Sequence, residues 1–115
     1  MKVNLGGEEI EIPVKKLSLL GQLRGLMFSR REKAKALLFN YKGAIHSFFV
    51  FYKFIILWLD EKNNVLEYQI IRPFKFHINS KEKYSKFIEI PINRRYNPIN
   101  RLLVGIDGER FKKKR

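Results

Sequence analysis

The chain has 115 residues, 45% hydrophobic and 14% aromatic, which suits one domain with a packed core and excludes both a disordered chain and a two-domain protein. Its 24 Lys and Arg outnumber 11 Asp and Glu to give a formal charge of +13, so an anionic polymer or surface is the first partner to consider. With no cysteine, disulfides, thiol catalysis and thiolate metal sites are excluded, and two histidines, His46 and His77, offer little to a metal or hydrolase centre.

The opening residues, Met1 to Glu9, hold no apolar stretch of signal-peptide length. Val3 and Leu5 before Gly6-Gly7, then Ile10, Ile12 and Val14 at alternate positions after it, predict a β-hairpin over 3–14. Leu19, Leu20, Leu23, Leu26 and Met27 recur at spacings of three and four, the pattern of a short amphipathic helix over Ser18 to Phe28, with Ser18 as its N-cap. A basic connector, Arg30 to Lys35, follows.

From Ala36 onward the pattern is that of strands. Ala36 to Phe39 is a short apolar run. Ala44 to Tyr52 is apolar on both faces and reads as a central buried strand. Phe54 to Asp60, a turn at Asn63-Asn64, and Val65 to Ile71 read as a second hairpin, which Pro73 ends. Residues 72–86 read as a basic loop, Phe87 to Ile92 and Arg101 to Ile106 as further strands, and 109–115 as a frayed basic tail on a single domain spanning 1–108. The apolar run Ala44 to Leu59 is interrupted by His46 and Lys53. It falls short of the roughly 20 apolar residues that a membrane span needs. The expectation is a mostly β (α+β), cytoplasmic protein with one short N-terminal helix.

Three stretches carry a family resemblance. They are Leu23-Arg24-Gly25-Leu26-Met27-Phe28; Ala36-Leu37-Leu38-Phe39 with Ile45-His46-Ser47-Phe48-Phe49-Val50 and Trp58-Leu59-Asp60; and Phe87-Ile88-Glu89-Ile90-Pro91. In order and spacing the chain resembles the archaeal and bacterial domain of unknown function 192 family from residue 18 to about 92. The resemblance implies a compact, β-barrel-like fold with short helices, and no established activity. Against the family pattern, Lys53-Phe54-Ile55 replaces Pro-Ile-Asp, so an Asp able to serve a ligand pocket is Ile55 here. The Gly that follows the Glu-x-Pro strand gives way to Ile92-Asn93-Arg94-Arg95. A retained scaffold with a lost polar site and a new cationic surface implies recruitment to a binding role.

Catalytic signals are sparse. His46 lies in an apolar run and His77 between Phe76 and Ile78, with no carboxylate or second histidine spaced to orient either. Asp60, Glu61, Glu67 and Glu89 end or line strands without a recognisable pairing. Gly6-Gly7 and Gly105 to Gly108 lack the strand–loop–helix context of a phosphate cradle and read as turns. No catalytic residue, metal ligand or cofactor is expected.

The cations form three clusters: Arg30, Arg31, Lys33 and Lys35; Arg72, Lys75, Lys81, Lys83 and Lys86; and Arg94, Arg95 and Arg101 leading to Arg110, Lys112, Lys113, Lys114 and Arg115. Clustered Lys and Arg neutralise phosphates and release counterions, which gives affinity without reading sequence. Tyr84 and Tyr96 beside them are candidates to stack on unpaired bases. The expectation is a non-catalytic, RNA-binding, ribosome-associated accessory protein. Its partners would be ribosomal RNA and ribosomal proteins, with no membrane. The alternative is a small-ligand or protein-binding β-barrel with its pocket near Gly25 to Phe28 and His46 to Phe49.

Overall fold

The computed structural model describes residues 1–16, 26, 29–40, 50–74, 78, 80 and 83–106, excepting the side chains of 104–106. The expected amino-terminal hairpin is present as β1 (Lys2–Leu5) and β2 (Glu8–Glu11), in the register Lys2↔Glu11 to Leu5↔Glu8. It ends at Glu11, however, and Val14, expected on its second strand, opens a separate strand of the other sheet. Gly6 and Gly7 have φ of 59° and 88°, the left-handed geometry that a tight two-residue hairpin turn demands.

The remaining strands, β3 (Val14–Lys16), β4 (Ala36–Phe39), β5 (Phe54–Leu59), β6 (Val65–Ile71) and β7 (Lys86–Pro91), form one sheet in the order β3-β4-β7-β5-β6. β3 runs parallel to β4, and the other neighbours are antiparallel. The expected hairpin from Phe54 to Ile71 is present as β5–β6, turned at Asp60 to Asn64. There the Asp60 carboxylate accepts the amides of Lys62 and Asn64 at 2.8 and 2.9 Å.

Every residue of β5 is buried, because Phe-Ile-Ile-Leu-Trp-Leu is apolar on both faces and the strand has a neighbour on each side. One face of the sheet carries Ala36, Ile55, Leu57, Leu59, Ile88 and Ile90. It is covered by Val3 of β1, by Ile12, and by Tyr96, Ile99 and Leu103. The opposite face carries Leu37, Phe39, Phe54, Ile56, Trp58 and Phe87, packed with Leu26, Ala34, Val50, Tyr52 and Ile78 from the connecting segments. Each fully buried Ile or Leu contributes about 1.5–3 kcal/mol, so stability is divided between two cores that share one sheet.

Four expectations are corrected or relocated. The sheet is open, with β3 and β6 at its edges among the described residues, and is not a closed barrel. The expected helix over Ser18 to Phe28 lies outside the described residues apart from Leu26; the short α-helix described is at the C-terminal side. Residues 44–49 of the expected central strand likewise lie outside the described residues, and 50–53 are not strand; the strands flanked on both sides are β4, β5 and β7. The expected strand over Arg101 to Ile106 is instead helical. A 3-10 turn (Arg94–Tyr96) leads into α1 (Asn97–Asn100) and a π-helical turn (Arg101–Ile106). Pro98 in the first turn of α1 sets helical φ, and Ile99 and Leu103, four residues apart, both meet the sheet. Among the described residues no helix is long and apolar enough to cross a membrane.

Candidate nucleic-acid interface

Strand register decides which side chains meet at each end of the sheet. Phe54 pairs with both Ile71 and Pro91, Leu37 pairs with Glu89, and Val14 pairs with Ala36. The chain just before β4 and β5 and just after β6 and β7 therefore emerges at one end. With strands about 4.8 Å apart, those four chain passages span about 14 Å. They deliver Lys35, Lys53, Arg72, Arg94 and Arg95, all exposed.

The Arg30 to Ala34 loop is fastened to the same end. The Asn93 side-chain amide donates to the carbonyls of Arg31 at 2.6 Å and Ala34 at 3.0 Å. The Arg94 amide donates to a Glu32 carboxylate oxygen at 3.4 Å, and the Ile92 amide donates to the Lys53 carbonyl at 3.4 Å. Exposed Arg30, Arg31 and Lys33 are thereby joined to Arg94, Arg95 and Lys53 in one continuous surface, with Glu32 among them.

The opposite end mixes acids with cations. The Asn4 amide donates to the Asn63 carbonyl at 2.9 Å and Asn4 bridges to Asn64, which holds the tip of the β1–β2 hairpin beside the β5–β6 turn. Glu8 and Glu9 of that tip thus stand near Asp60 and Glu61. Hydrogen bonds from the Asn64 side chain and amide hold the Asp60 carboxyl below its usual range, so it is ionised and committed to the turn.

The sequence-predicted site residues divide accordingly. Arg30, Arg31, Lys33, Lys35, Arg72, Arg94 and Arg95 converge at the basic end. Lys83 and Lys86 belong to the opposite end, since Lys86 pairs with Leu59. Arg101 is exposed on the helical segment. Lys75, Lys81, Arg110, Lys112, Lys113, Lys114 and Arg115 lie outside the described residues, as do His46 and His77; the pocket expected near Gly25 to Phe28 and His46 to Phe49 also lies outside them apart from Leu26.

The reading of Tyr96 as a stacking residue is overturned, because it is buried at 1% exposure in the apolar core. Its hydroxyl accepts the Ala36 amide and donates to the Pro13 carbonyl at 3.1 Å, a lock between the starts of β3 and β4. Tyr84 is half-buried against Trp58, with ring centroids 4.6 Å apart. Sequence reading missed three residues of the basic end: Lys53, Phe51 and Phe74. The predicted β5–β6 hairpin held the signal, since pairing Phe54 with Ile71 brings residues 51–53 beside 72–74.

The sheet face bearing Trp58 also holds polar groups in apolar surroundings. Glu89 is 5% exposed on β7 between Leu37 and Ile56, and burial pushes its carboxyl up to about 8. The Trp58 indole N–H on the same face is buried and has no hydrogen-bond partner among the described residues. Burial likewise raises the Tyr52 phenol, opposed by a hydrogen bond with the Ser29 hydroxyl and reinforced by the proximity of Glu89. Glu67 stands on this face too but across β5 from Glu89, where it accepts Gln69 Nε2 at 2.9 Å and the Ser80 hydroxyl at 3.3 Å. Ile55, where the resemblance expects an Asp, is fully buried on the other, apolar face.

The sequence matches no protein-family model, and neither a curated protein nor a solved structure matches it.

Proposed function

We propose that the protein is a non-catalytic, RNA-associated accessory protein that grips phosphates with the basic end of its sheet. One observation carries the reading. Two clusters far apart in sequence, Arg30 to Lys35 and Arg94-Arg95, are hydrogen-bonded into one surface through Asn93 and extended by Lys53 and Arg72. Like charges gathered this closely repel one another, and an anionic polymer offsets that repulsion. The opposite end of the sheet mixes its acids with Lys62, Lys83 and Lys86, so the excess of positive charge lies at the basic end. A ribosomal location for that RNA, and membership of the domain of unknown function 192 family, are proposed with this reading.

The test is fluorescence anisotropy on labelled RNA across a salt series, paired with sedimentation of the protein from lysate. Phosphate gripping predicts a linear fall of log K against log salt, with a slope of about −3 to −5 for a single strand bound by several of these cations. Removing residues 111–115 is expected to make the slope shallower. Co-migration with a ribosomal subunit that is lost as salt rises supports the ribosomal placement. Free migration at low salt sinks it.

A second reading, a small-ligand binder, is favoured by the buried Glu89 carboxyl and by a Trp58 N–H on the same face that has no partner among the described residues. A thermal shift with a small-molecule panel but not with RNA would replace the first reading with this one.

A further inference from the structure

We infer that the nucleic acid held at the basic end is single-stranded, with its bases stacked on the Phe51–Phe74 pair. The inference rests on the phosphate-binding reading and specifies its ligand. Phe51 is 60% exposed and Phe74 is 44% exposed, among the largest apolar exposures on the described surface. They are not scattered, because the rings meet edge to face with centroids 5.4 Å apart and planes at 76°.

Their location follows from the hairpin. Phe51 precedes β5 and Phe74 follows β6, and Phe54↔Ile71 pairing closes the open end of that hairpin just beneath them. Lys53 and Arg72, both exposed, lie between the aromatics and the strands. Phe74 also has φ of 59°, a left-handed conformation rare for a bulky aromatic, so backbone strain accompanies the exposed ring.

Base stacking on aromatic rings, with cations beside them to take the phosphates, is the way proteins hold unpaired strands. A duplex keeps its base faces stacked inside and offers such a pair nothing but phosphates. The flanking Lys53 and Arg72 also argue against an apolar protein partner, which would have to strip water from both charges.

The experiment compares three labelled probes by anisotropy at constant salt: a short oligouridylate, an abasic oligomer of equal length, and a duplex of equal length. Stacking predicts that the protein binds oligouridylate about 10-fold more tightly than the abasic strand. Phe51→Ala is expected to abolish that preference while abasic binding stays unchanged, and Phe51→Trp to preserve it. Equal binding of oligouridylate and abasic strands by the parent overturns the stacking proposal while leaving phosphate gripping intact. The proposal also falls if the duplex binds best, or if Phe51→Ala weakens all probes alike. Failure of every probe to bind at low salt overturns both this inference and the reading it rests on.

Discussion

The side-chain amide of Asn93 donates to the backbone carbonyl of Arg31 at 2.6 Å across a separation of 62 residues. A second bond, to Ala34 at 3.0 Å, uses the remaining N–H of the same amide. Asn93 is 4% exposed and Ala34 is buried, so the Ala34 carbonyl has little access to water and depends on the side chain, while the Arg31 carbonyl lies nearer the surface. The cations of the Arg30 to Lys35 loop are thereby held at fixed distances from Arg94 and Arg95, which spares the bound state the cost of ordering them.

Asn93→Ala removes both donors at once. A loss of about 1–3 kcal/mol is expected from leaving the buried Ala34 carbonyl unpaired, read by urea denaturation. RNA affinity is expected to fall with it even at temperatures where the variant is fully folded, since the loop no longer keeps its station. A variant equally stable and equally tight would remove Asn93 from the account.

Neutralising Arg94 and Arg95 together tests the basic end directly. The slope of log K against log salt is expected to become shallower by about 0.7 for each phosphate of a single strand that is no longer neutralised. Neutralising Lys83 and Lys86, at the other end of the sheet, is expected to leave the slope unchanged. Equal effects from the two pairs would mean that the ends are not distinguished by the ligand.

Tyr96→Phe deletes one oxygen and keeps the ring. The Ala36 amide loses its acceptor and the Pro13 carbonyl its donor, for an expected loss of about 1–3 kcal/mol. RNA binding by the folded variant is expected to match the parent, because the ring lies in the core. A selective loss of affinity at unchanged stability would restore Tyr96 as an RNA-binding residue.

Glu89 makes stability depend on pH in a definite direction. The folded protein keeps this carboxyl protonated up to about 8, whereas an unfolded chain releases the proton near 4.5. Over that interval the folded state binds the extra proton, so this contribution is complete below 4.5 and is lost as pH rises through about 8. Glu89→Gln is expected to remove the decline and to be the more stable protein at pH 9, as chemical denaturation across pH would read. A parent whose stability is flat from pH 5 to pH 9 would refute a buried neutral Glu89.

The two hairpins were legible because their turn chemistry is local: Gly6-Gly7 and Asn63-Asn64 each declare a reversal between apolar segments. The strand at Lys86–Pro91 was legible as an element, but its slot between β4 and β5 was not, since no local pattern names a partner. The C-terminal helix is not evident locally because the apolar run after Arg101 includes β-branched Val104 and Ile106, which favour a strand by propensity. The deciding signal was Pro98 with Ile99 and Leu103, a tertiary packing argument. The basic end was half legible. Charge composition announced the cations, while Asn93, a polar residue with no charge, is what joins two clusters of them.

The slot of β7 also governs how the chain can fold. β5 and β6 are adjacent in sequence and can pair early, but β4 and β5 face a gap until residues 86–91 arrive to fill it. Before that, two strand edges rich in Ile, Leu and Phe stand open, and such edges recruit other chains as readily as their own. Closing them requires pairing remote in sequence, which makes folding slow for a chain of this length. During synthesis the nascent protein is therefore committed to waiting for β7, and that interval is when it is most exposed to aggregation.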